Sequence, residues 1–210
     1  ILYDQAQSYS TGLKDDFARE LVARGGQSVS EQAYSGGDHD FGAQLTTIRE
    51  SGAEAVFVPG YYTDAGNILL QARSLGLTVP FLGGDGWESP QLAAIAGKAA
   101  DGSYFSAHFS PEDQRPEVQA FLVRYRAAYG DLPDSTAALG YDATRVVLEA
   151  MTRAPSLDGP TLAAAIAETR DFRGVTGQFG FDEHRNARKA AVMLVMKDGR
   201  PSFVTAVPPQ

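Results

Sequence analysis

Through the first hundred residues, short apolar runs alternate with longer amphipathic stripes, and few folds accept that rhythm. "ILY" at the start is strand-like. From Thr11 to Arg24, Leu13, Phe17 and Leu21 recur every fourth residue, a helical stripe closed by Gly25 and Gly26. "SVSEQAY" from Ser28 to Tyr34 alternates like a strand, and Asp40 caps a helix carrying Phe41, Leu45 and Ile48. "AVFVPG" (Ala55 to Gly60) reads as a buried parallel strand. Asp64 then reads as the cap of a helix with Ala65, Ile68, Leu69, Ala72 and Leu75 inward and Gly76 as its stop. "VPFLGG" is a further strand, "SPQLAAIAG" a short helix with proline in its first turn, and "GSYFSAHF" another extended segment. Strand, helix, strand, helix with short loops predicts βαβ units, a parallel doubly wound sheet covered on both faces.

After Phe109 the rhythm changes. The spacing predicts helices over Pro116 to Tyr129, over Ala137 to Arg153, and across "DGPTLAAAIAET", with no strands between them. A Gly-punctuated extended segment, "GVTGQFGFDEH", follows, and then two strands, "AAVMLVMK" and "PSFVTAV", joined by a "DGR" turn. The helices from 116 to 169 have little left in this chain to cover. "ILYDQ" reads as the end of a buried strand, which implies that material precedes Ile1, so the lack of a leader here leaves export open.

In parallel α/β sheets, ligands sit beyond the carboxyl ends of the strands. Three such ends carry suggestive side chains: "LYDQAQSYS", "VPGYYTDAG" and "FLGGDGWES". They offer Tyr9, Tyr61 or Tyr62, and Asp85 with Trp87 as one rim. Asp85, set between glycines after an apolar run, could hold a metal, attack a bond, cap a helix or meet a cationic ligand. Each of these residues also has a structural reading, the aspartate as a turn or cap and the tyrosines as half-buried anchors.

Several chemistries are disfavoured. A net charge of −8 argues against binding nucleic-acid backbones. No apolar run reaches the roughly 20 residues of a bilayer span. With no cysteine, disulfides and thiolate chemistry are excluded. His39, His108 and His184 lack metal-ligand spacing, and Asp38 and Asp40 of "GGDHDFG" fall short of a calcium loop. There is no GxSxG, P-loop or GxGxxG, so no cofactor is implied and catalysis is disfavoured.

"VFVPGYYTDAGNILLQARSLGL", "PFLGGDGWESPQL", "GSYFSAHFSPEDQRPEVQAFLVRYRAAYG", "ALGYDATRVVLEAM" and "FRGVTGQFGFDEHRNARKAAVMLVMKDG" together resemble the leucine/isoleucine/valine-binding protein family. These are periplasmic or lipid-anchored solute receptors of branched-chain amino-acid ABC transporters, built on the type I periplasmic-binding fold. The resemblance implies two α/β lobes, with residues 1–106 most of the second lobe, 107–175 helices of a first lobe whose sheet lies upstream, and 176–210 strands returning to the second. The crossover falls near His108. It also implies that Asp85 binds the α-ammonium of an amino acid, that the neighbouring glycines admit the ligand, and that Tyr61 and Tyr9 line its flank. Trp87 would wall the side-chain pocket, and the grip on the α-carboxylate would come from the first lobe. Asp85 departs from the glutamate of many members, a shorter arm suited to a different reach. The implied partners are an amino-acid ligand and ABC permease subunits. The alternatives are a sensor or effector-binding domain of the same fold, and a small α/β enzyme using Asp85 as nucleophile or base.

Overall fold

In the computed structural model, which describes residues 1–209, the chain divides into two units. One comprises Ile1–Ser106 with Leu194–Ser202, the other Ala107–Met193 with the residues from Phe203 onward.

The first unit is an α/β layer. Strands β1 (Leu2–Asp4) and β2 (Gln32–Tyr34) pair in parallel, with Leu2 opposite Gln32 and Asp4 opposite Tyr34. β3 (Val56–Val58), β4 (Phe81–Gly83) and β5 (Tyr104–Ala107) are also parallel, with Val58 opposite Gly83 and Gly83 opposite Phe105. Helices α1 (Ser8–Ala23), α2 (Gly42–Glu50), α3 (Tyr62–Ser74) and α4 (Pro90–Ala96) connect them. α2, α3 and α4 turn their apolar stripes inward, while the Leu13, Phe17 and Leu21 stripe of α1 is half-buried. Leu45, Ile48, Ala65, Ile68, Leu69, Ala72 and Leu92 are all buried beside Val56, Val58 and Phe81. Ser89 caps α4 by accepting the Gln91 N–H, with Pro90 at the first helical position where its missing N–H does no harm.

β9 (Ala191–Lys197) and β10 (Arg200–Val207) extend this sheet to the order β10-β9-β5-β4-β3. They are joined at Asp198-Gly199, both with positive φ, as a tight hairpin turn demands.

In the second unit, α5 (Pro116–Tyr129), α6 (Ser135–Arg153) and α7 (Gly159–Ala167) accompany a small antiparallel sheet, β6 (Phe172–Gly174), β7 (Gly177–Phe181) and β8 (Ala187–Arg188). Two compact clusters form there: Phe109, Val118, Phe121, Ala138 and Val175, and Val146 with Phe172 and Phe179. The helices therefore do bury a core of their own, contrary to the expectation that they cover little. It is incomplete, because Leu139, Val147, Leu148 and Met151 of α6 remain exposed.

Four local expectations shift. α1 begins at Ser8, three residues early, without a capping side chain to announce it. β2 is shorter than "SVSEQAY": it pairs with β1 only from Gln32, opposite Leu2, to Tyr34, opposite Asp4. Asp64 lies inside the first turn of α3 and does not cap it; the residue in the cap position is Tyr61. Residues 176–193 group with the helices, where β7 pairs with β6 and β8 with β7, and of the expected return 176–210 only Leu194–Ser202 groups with the first unit.

Candidate functional site

The carboxyl ends of β1, β3 and β4 each run straight into a helix, and the candidate residues stand at those three starts. Tyr9 is the second residue of α1, Tyr61 immediately precedes α3, and Asp85 opens a single 3-10 turn, Asp85–Trp87. A side chain at a helix start projects from the sheet edge with its backbone held by the strand below. That is why parallel α/β proteins place ligands there.

Tyr9 joins the three. Its hydroxyl donates to Asp85 Oδ1 at 2.5 Å and accepts the Gly86 N–H at 3.1 Å. Its ring stacks on Tyr61, with centroids 5.2 Å apart and planes inclined by 26°. Burial, and next the hydrogen bond to the negative Asp85, hold the Tyr9 phenol well above the ordinary tyrosine range, although the Gly86 N–H pulls the other way. Tyr9 is therefore a neutral donor at physiological pH. Tyr61 is 46% exposed, an amphipathic ring open to contact.

The glycines around Asp85 stand close to the chain's own atoms. A Cβ on Gly84 would stand 2.7 Å from the Tyr9 hydroxyl, and one on Gly86 would stand 2.6 Å from the Gly60 carbonyl. Gly86 must be bare for its loop to close on the Gly60 backbone, whereas a side chain at Gly84 would push the Tyr9 hydroxyl aside.

Trp87 is placed differently from the expectation of a pocket wall. It is 0% exposed, its indole N–H donates to the Val58 carbonyl at 3.1 Å, and its ring lies under the Gly83 backbone near Phe105. A wide apolar ring at the last position of the 3-10 turn is driven into the core, and its single donor finds a strand-end carbonyl. It supports the Asp85 loop from below and has no surface to offer.

Two buried groups beside the rim carry no sequence signature. Asp4, at the end of β1, accepts the Ala6 N–H with Oδ1 at 2.9 Å. Ser10, 0% exposed, accepts the Asp4 N–H at 2.9 Å and donates to the Pro59 carbonyl. Nearby, Asp64 is held above the usual carboxylate range, first by burial and then by the charges of Asp4 and Asp38, against the Gly37 N–H that it accepts. Among the described residues no cluster of three or more acidic or histidine side chains could hold a metal, and no helix is long and apolar enough to cross a membrane.

A family model described as "Periplasmic binding protein" matches residues 1–200, and the chain belongs to that family. Its fold is that of the type I periplasmic-binding proteins. The leucine-binding protein LivK of Thermotoga maritima MSB8 is similar at 37% identity with a TM-score of 0.93, over 99% of this chain and 59% of that one. LivJ of Streptococcus pneumoniae, solved with isoleucine, is similar at 36% identity and a TM-score of 0.87, over the same shares. The Leu/Ile/Val-binding protein homolog 1 of Brucella suis is 29% identical over 183 residues, 87% of this chain and 48% of that protein. The chain thus spans about half the length of the curated relatives it matches.

Proposed function

We propose that this chain belongs to an extracytoplasmic solute-binding protein that delivers a branched-chain or related hydrophobic amino acid to an ABC permease. The observation that carries the reading is the Asp85–Tyr9–Tyr61 rim: one carboxylate, a phenol 2.5 Å from it and a second, half-exposed ring stacked on the first. Asp85 is the anchor for the ligand's α-ammonium. A partly desolvated carboxylate attracts a cation strongly, and the neutral Tyr9 hydroxyl orients it without cancelling its charge. Tyr61 and Tyr9 supply apolar faces along the ligand's flank, with the exposed Tyr61 making the larger contact. Trp87 acts indirectly, by holding the loop that presents Asp85. Relatives named for leucine, isoleucine and valine, two of them at 36% identity or more, support the ligand class.

The first unit is most of one lobe, and the helices of the second belong to the other. α6 and its neighbours border a cavity of about 540 Å³ lined by Leu139, Val146, Val147, Ile166, Phe179 and Phe181. Such an apolar face suits a covering sheet from the remainder of a full-length protein, which would also supply the grip on the ligand's carboxylate. Whether the protein is free in the periplasm or lipid-anchored does not alter this chemistry.

Isothermal titration of the full-length protein with a panel of amino acids tests the reading. Stoichiometric binding of a hydrophobic amino acid without turnover supports it. Conversion of any panel member, or failure of all to bind, refutes it.

A further inference from the structure

Ser10 lies one residue beyond Tyr9, and its hydrogen bonds go to backbone groups. Its hydroxyl sits where three segments of the rim meet. It takes the N–H of Asp4 from the end of β1 at 2.9 Å and gives its own proton to the carbonyl of Pro59, just past the end of β3. The side chain itself belongs to the first turn of α1. Tyr61 follows Pro59 by two residues, so one buried hydroxyl ties the segment bearing Tyr9 to the segment bearing Tyr61. A serine hydroxyl suits this position because it can accept and donate at once within a very small volume. An aliphatic side chain would leave both backbone groups buried and unpaired.

The stacking of Tyr9 on Tyr61 at 5.2 Å and the 2.5 Å reach of Tyr9 to Asp85 both depend on where α1 starts relative to the end of β3. We propose that Ser10 is a positioning residue of the amino-acid site: through Asp4 N–H and Pro59 C=O it sets the height and tilt of Tyr9, and thereby the geometry of the phenol on Asp85. Its effect on affinity rests on the reading of the rim given above. Its effect on Tyr9 does not, so the two can be tested apart.

The experiment uses the full-length protein with ¹³Cζ-labelled tyrosine. The Tyr9 resonance, assigned through Tyr9→Phe, reports the phenol's hydrogen bond to a carboxylate at neutral pH. In Ser10→Ala this resonance should move toward that of an exposed tyrosine such as Tyr129, and affinity for the best-bound amino acid should fall roughly tenfold, the scale of one net hydrogen bond. Ile48→Val, a core change away from the rim, should lower the melting temperature while leaving both readouts in place. An unmoved Tyr9 resonance in Ser10→Ala overturns the proposal. So does an equal loss of affinity in Ile48→Val at a matched melting temperature, because stability alone would then account for the effect. Should Ser10→Ala not fold, Ser10→Cys, close in size and a much weaker hydrogen-bonding group, is held to the same outcomes. If the unaltered protein binds no amino acid, the functional reading fails, and the Tyr9 resonance still decides the role of Ser10.

Discussion

In the second unit Asp142 is 2% exposed, and its two oxygens accept three hydrogen bonds, from the N–H of Val175 at 2.9 Å and from the N–H and hydroxyl of Thr176, both at 2.8 Å. In the first unit Asp85 stays partly exposed at the sheet edge, takes the Tyr9 phenol on one oxygen and stands beside a tyrosine that is half in water. One carboxylate is enclosed by donors that hold α6 to the turn after β6. The other accepts the Tyr9 phenol and keeps part of its surface at the sheet edge. The contrast is between an aspartate enclosed by three donors and one left partly exposed, the one proposed above as a ligand anchor. The two environments cannot be told apart from residue type or glycine neighbours, since a glycine, Gly174, also stands against Asp142.

The largest expected effect would break this contrast if it went the wrong way. Asp142→Ala leaves two buried backbone N–H groups without acceptors and should destabilise the protein by about 3 kcal/mol or more, with ligand affinity unchanged once folded. Chemical denaturation with calorimetry on the same samples checks both halves. Asp85→Ala should do the reverse: affinity for an amino acid falls at least a hundredfold, about 2.7 kcal/mol, while the unfolding midpoint stays near that of the unaltered protein. An Asp85 variant that melts early and binds normally would place both aspartates in the same structural class.

Lys189 sharpens the picture of the second unit. Burial lowers its ammonium to about 8, against the nearby negative charge of Asp142, which raises it. Below pH 8 the lysine is charged in both folded and unfolded chains, and the burial penalty is felt in full. Between pH 8 and its ordinary value near 10.5 the unfolded chain holds a proton that the folded one has released, so stability rises with pH across that window. The gain, discounted for partial exposure, is about 2 kcal/mol. A stability-versus-pH curve of Lys189→Met subtracted from that of the unaltered protein should isolate this slope, and a flat difference would remove the assignment.

The smallest effect concerns the exposed stripe of α6. Leu148→Ser in this chain alone should change its stability by no more than about 0.5 kcal/mol, because the side chain is 56% exposed. In the full-length protein the loss should be several times larger if a sheet covers that stripe. Equal losses in the two settings would leave the stripe uncovered.

Much of the architecture was legible because periodicity reports burial directly. The stripe of Leu13, Phe17 and Leu21, the run at Val56–Val58 and the proline start of α4 all lie close to where the spacing puts them. The misplacements lie at element ends. The start of α1 has no capping side chain, the start of β2 depends on where β1 lies opposite it, and Asp64 looks like a cap although Tyr61 holds that position. At the rim the proposed ligand-facing residues, Asp85, Tyr9 and Tyr61, stand out by their place after strands, whereas Ser10 and the inward turn of Trp87 do not.

By itself the order of the residues determined which segments become strands and helices and which side chains stand at strand ends, because solvent exclusion of apolar stripes acts locally and repeats with the period of the backbone. Tertiary structure alone decided that Tyr9 would reach Asp85 seventy-six positions away, that the glycines would make room for phenol and carbonyl, and that Trp87 would sink into the core. Those outcomes depend on ångström-scale distances between loops held at the ends of different strands, and such distances exist only after the sheet has brought the strands side by side.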